Sequence, residues 1–89
     1  MKLSENFVLK TIAGAPVVMP VGEAVSKVHG MIKLNPSAEV IWKALEENKD
    51  FDKILETMKN QFENVSEETL KEDLNYFLGR LREFEILVD

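Results

Sequence analysis

Two hydrophobic rhythms divide the chain. Up to Leu34 the apolar residues come in short runs rich in β-branched side chains, and from Ala38 onward they recur at three- and four-residue spacing. Phe7-Val8-Leu9-Lys10-Thr11-Ile12 ends at Ala13-Gly14, and Pro16-Val17-Val18-Met19-Pro20 follows at once. Two such runs around a glycine-containing turn predict a β-hairpin. Pro16 lacks an N–H and is expected at the first position of its strand, while Pro20 ends it. Residues 21–27, with Gly22 and Ser26, read as a loop. A third strand is predicted over Val28 to Leu34, with Val28, Gly30, Ile32 and Leu34 on one face and His29, Met31 and Lys33 on the other.

The later rhythm predicts three helices. Asn35 caps the first and Pro36 suits its opening turn, where the missing N–H costs nothing. Its inner stripe is Ala38, Ile41, Trp42 and Leu45. Asp50 caps the second, with Phe51, Ile54, Leu55, Met58 and Phe62 inward. Ser66 caps the third, whose stripe is Leu70, Leu74, Phe77, Leu78, Leu81 and Phe84. Ile86-Leu87-Val88 forms an apolar tail that can pack back on the body. The expected architecture is α+β, a three-stranded antiparallel β-meander followed by three helices, winged helix-turn-helix-like in layout.

The hairpin strands are apolar on both faces, with Phe7 and Leu9 on one side and Val8 and Ile12 on the other. β-propensity alone accounts for this in a small domain, and so does a covering layer, a dimer contact or a ligand surface. At 89 residues the chain has room for one domain, expected over residues 1–89 with a core from about 7 to 88. There is no cysteine, which excludes thiolate metal sites and thiol nucleophiles and fits a cytoplasmic location. No apolar run reaches signal-peptide or membrane-span length. A net charge of −5 is poorly matched to phosphate backbones, whose affinity is built from Lys and Arg contacts.

Catalytic chemistry is not legible. His29 is the single histidine and cannot hold a metal alone; a partly exposed strand residue is its ordinary role. No G-x-S-x-G, Walker A or G-x-G-x-x-G motif occurs. Glu46-Glu47 and Glu67-Glu68 read as solvated helix charges, and Trp42 as core. What the pattern does leave is an open sheet edge along the third strand, where unpaired N–H and C=O groups can take up an extended peptide. Gly30 would let another backbone come close, and a third helix lying beside that edge would make the second wall of a groove. Leu74 and Leu78 could then supply pockets, or simply be core, as at least one of them should be; Lys71, Asn75 and Arg82 could supply polar contacts.

The hairpin F-V-L…G-A-P-V-V-M-P, the segment H-G-M-I-K-L-N-P-S-A-E-V-I-W (His29 to Trp42) and the ending Y-F-L-G-R-L-R-E-F-E-I-L together resemble the PqqD-like proteins. These are the precursor-peptide recognition elements of ribosomal peptide natural-product pathways. The likeness runs from about Phe7 to the C-terminus and is most specific over Gly30 to Trp42. It implies a non-catalytic protein without a cofactor, binding a leader peptide as an added strand beside the third strand and third helix. The residues so implied are His29, Gly30, Met31, Ile32, Lys33 and Leu34, with Lys71, Leu74, Asn75, Leu78 and Arg82 opposite. It further implies a stand-alone element and a separate modifying enzyme of the radical-SAM type as partner, with neither nucleic acid nor membrane involved. Two alternatives stay open: a winged-helix DNA-binding regulator using Lys53, Lys59, Lys71, Arg80 and Arg82, and a structural subunit that forms a homodimer through its apolar sheet face.

Overall fold

Residues 1–26 and 30–88 are described by the structure, a computed structural model. Strands β1 (Lys2–Leu3), β2 (Phe7–Ile12) and β3 (Ala15–Pro20) lead through a 3-10 turn (Gly22–Ser26) to β4 (Ile32–Lys33); helices α1 (Pro36–Glu46), α2 (Phe51–Gln61) and α3 (Glu67–Glu83) and a final strand β5 (Leu87–Val88) follow. The antiparallel sheet β2-β3-β4 with three helices is the expected α+β arrangement.

The hairpin closes through Ala13 and Gly14, both at positive φ (53° and 81°), so Ile12 lies opposite Ala15. Two successive left-handed residues give the turn the twist that the flanking strands require. Pro20 ends β3 as expected, whereas Ala15 precedes Pro16 in the strand.

The third sheet strand is far shorter than the predicted Val28–Leu34; among the described residues it is only Ile32–Lys33. The cause lies in β3. The Pro16 carbonyl accepts from the Leu34 N–H at 3.0 Å, so the backbone of Pro16 faces β4. By strand alternation Val18 and Pro20 face the same way. Two of those three positions are prolines without a donor, which leaves Val18, opposite Ile32, as the only one able to exchange both bonds. Gly30 is not extended: its φ is +98°.

Helix ends follow the residues that punctuate them. Asn35 Oδ1 accepts from the Ala38 N–H (2.8 Å), Asp50 Oδ1 from the Lys53 N–H (3.0 Å) and Ser66 Oγ from the Thr69 N–H (3.3 Å). At the C-terminus of α1 the Lys49 N–H reaches the Ala44 carbonyl and the Asn48 N–H that of Leu45, with Asn48 at φ +60°. α3 ends identically: Ile86 N–H to Leu81, Glu85 N–H to Arg82, and Glu85 at φ +59°. Both are Schellman closures built without glycine.

One cluster joins the sheet to all three helices. Val18 and Leu34 meet Ile41, Trp42 and Leu45 of α1, Ile54 and Met58 of α2, and Leu70, Leu74, Leu78 and Leu81 of α3. Trp42 is buried, and its indole N–H finds no acceptor among the described residues. The tail folds back as expected, with Ile86 and Leu87 in the core. It also pairs antiparallel with β1, Lys2 opposite Val88 and Leu3 opposite Leu87. The Ser4 N–H extends that ladder to the Ile86 carbonyl at 2.7 Å. No helix among the described residues is long and apolar enough to cross a membrane.

Candidate functional site

β4 is an edge strand, and its outer side is unpaired among the described residues. Because Leu34 bonds to Pro16 and Ile32 lies opposite Val18, alternation turns the N–H and C=O of Lys33 outward. The C-terminal tail does not seal this edge, since Leu87 and Val88 are paired with β1.

Beside the edge lies a cavity of about 330 Å³. Ile32 and Lys33 form its strand side, and Asn35, Ser37, Ala38 and Ile41 bring in the start of α1. Asp73, Tyr76, Phe77, Arg80, Leu81 and Phe84 form the α3 wall. The depth of the cavity is apolar, through Ile41 and Leu81, which are buried. Its rim is mixed. Tyr76 is 71% exposed and Phe84 45% exposed, high values for aromatic side chains on a folded surface. The Arg80 guanidinium stands 5.0 Å from the centre of the Phe84 ring and pairs with Glu83 at 3.6 Å. Apolar depth with a few polar groups at the mouth is the ordinary make-up of a binding site.

The structure distributes the expected contact residues unevenly. Ile32 and Lys33 border the cavity. Gly30 and Met31 are exposed just before β4, and a Cβ built on Gly30 would meet no atom within 4 Å. Leu34 is in the core. His29 lies outside the described residues, as do Lys27 and Val28. Leu74 and Leu78 are 0% and 1% exposed, so both are core and neither makes a pocket. Lys71, Asn75 and Arg82 are exposed and absent from the cavity lining; helical spacing puts them on the opposite flank of α3 from Tyr76, Arg80 and Phe84.

The α3 wall that does face the edge was readable in one respect. The leucine stripe fixes which side of α3 points inward, and both flanks of that stripe border solvent. Only one flank carries aromatics, Tyr76, Phe77 and Phe84. That asymmetry is the signal for the side that borders the cavity. The cavity's share of α1, from Asn35 to Ile41, had no such signal, since a helix cap and a core stripe explain those residues fully.

Nothing among the described residues forms a metal-binding cluster. Two of the cations that a nucleic-acid reader would use are engaged with acids, Lys59 with Glu67 at 2.7 Å and Arg80 with Glu83.

A search of curated proteins finds no match to this chain. Among solved structures, the chain is similar over 100% of both chains to "TbiB1 in Complex with the TbiA(beta) Leader Peptide", with a TM-score of 0.77 and 25% sequence identity. The model of the family described as "Coenzyme PQQ synthesis protein D (PqqD)" matches residues 17–87, which take in most of β3, the cavity and the whole helical layer. The chain belongs to the PqqD family.

Proposed function

We propose that this protein binds the leader segment of a ribosomally made precursor peptide, taking it up as an extra strand on the outer edge of β4. The observation that carries this reading is the conjunction of an unpaired sheet edge with an apolar cavity directly beside it. Backbone bonds to the edge supply affinity without regard to sequence, and alternate side chains of the guest enter the cavity and supply selectivity. Family membership and the full-length likeness to a protein solved with a leader peptide support the same reading. The protein's own part is binding and presentation. Chemistry on the rest of the peptide falls to a separate modifying enzyme, of the radical-SAM type.

The reading is tested by titrating isotope-labelled protein with the precursor peptide encoded alongside it and following backbone amides. The expected result is saturable binding that perturbs residues 30–34 and the cavity side of α3, around Tyr76, Phe77 and Arg80. Perturbation confined to α2 or to the hairpin turn would overturn it.

A further inference from the structure

We propose that the guest strand carries an acidic side chain directly beside Lys33, with apolar residues on either side of it in sequence; this inference rests on the strand-addition reading above. The sheet register supplies the reason. On the face opposite the core cluster, Lys10, buried Val17 and exposed Lys33 stand in one row across three strands. On the inner face the adjacent row is Leu9, Val18 and Ile32. A strand added to β4 provides the fourth member of each row, and cross-strand neighbours interact through their side chains. Neighbours share a face in parallel and antiparallel pairing alike, so the assignment does not depend on the direction of the guest.

The fourth member beside Ile32 enters the cavity toward Ile41, Phe77 and Leu81, which calls for an apolar side chain. The fourth member beside Lys33 lies on the opposite face of the guest, next to a lysine that borders the cavity mouth and is exposed to solvent. Two of the three existing places in that row are lysines, and Lys33 is exposed and forms no ion pair among the described residues. The acid belongs on this outer row and not in the cavity, because Asp73 already lines the cavity while Arg80 is engaged with Glu83 and Phe84. The ligand class is therefore an extended peptide alternating apolar and acidic residues, drawn by a local positive row on a chain of net charge −5.

The test is selection of phage-displayed random twelve-residue peptides on the native protein and on the exposed-site variant Lys33→Glu, followed by amide mapping of the winners. The native protein is expected to enrich Asp or Glu between apolar residues, and Lys33→Glu to lose or reverse that enrichment. For one selected peptide, the charge reversal should weaken binding roughly two- to tenfold, as expected for a cross-strand ion pair turned into a like-charge pair. Winners that perturb residues 32–34 yet show no acidic preference, or the same preference with both proteins, overturn the acid rule and leave strand addition standing. Recovery of no binder, or of binders that map away from β4, overturns both.

Discussion

Leu34 donates its backbone N–H to the Pro16 carbonyl, and Pro16 has no N–H with which to return the bond. The β3–β4 ladder stops there, and the very next residue, Asn35, caps α1. Strand and helix thus meet within two residues, which brings the free edge of β4 and the start of α1 to the same cavity.

Pro16→Val should extend this ladder. It restores the donor facing β4, and one added backbone hydrogen bond stabilises by about 1 kcal/mol. The introduced amide should be slow to exchange with solvent in hydrogen-exchange measurements. An amide that exchanges as fast as a loop residue would show that the proline does not set the limit of β4.

Binding and stability should separate cleanly along α3. Tyr76→Ala removes an exposed aromatic from the cavity rim, and should weaken peptide binding by about 1 kcal/mol or more with little change in stability. Leu74→Ala should cost roughly 2–5 kcal/mol of stability, since the side chain is fully buried. Lys71→Ala and Asn75→Ala should leave both properties nearly unchanged. Calorimetric titration and denaturant unfolding on the same four variants read the two effects independently.

Glu85→Gly should stabilise the fold. Glu85 holds the left-handed position that closes α3, at φ +59°, where a Cβ costs about 1 kcal/mol or more. A gain of that size raises the melting temperature of so small a domain by roughly 4–8 °C. A lowered melting temperature would mean that the glutamate side chain contributes more than its backbone strain takes away.

The Lys59–Glu67 pair ties α2 to the start of α3 and should show in acid. Its hydrogen bond and charge attraction hold the Glu67 carboxyl below the ordinary carboxylate value and the Lys59 amine above the ordinary lysine value. For Glu67 the stabilisation is fully present above the unfolded carboxylate pKa and disappears as pH falls through the lowered folded one. For Lys59 it is present below the unfolded lysine pKa and disappears only as pH rises through the raised folded one. Glu67→Gln should therefore lower the unfolding midpoint slightly at neutral pH and leave it unchanged in strong acid. Both groups are exposed, so added salt should shrink the neutral-pH difference.

The helices were legible because each carries its own start signal and a clear inward stripe: Asn35, Asp50 and Ser66 all cap as their chemistry predicts. The hairpin was legible from Ala13-Gly14 and the two apolar runs around them. The length of β4 was not, because the prolines that limit it lie on the neighbouring strand and the left-handed backbone of Gly30 is not visible in the apolar pattern. Strands β1 and β5 escaped notice for a different reason. Two residues carry no periodicity, and their pairing joins positions at opposite ends of the sequence. On α3 the leucines announced the buried side, but a repeat of 3.6 treats both flanks of that side alike, and only the aromatics Tyr76, Phe77 and Phe84 distinguish the wall of the cavity from the flank of Lys71, Asn75 and Arg82.

Lys2 and Val88 face each other across the β1–β5 ladder, so the first and last described strands are neighbours in space. A short linker could join β5 to β1 without reshaping the molecule, and the exposed Ala13-Gly14 turn offers a place to open the chain. A ring-closed, re-cut molecule of this kind should keep the same fold while moving both termini to the hairpin.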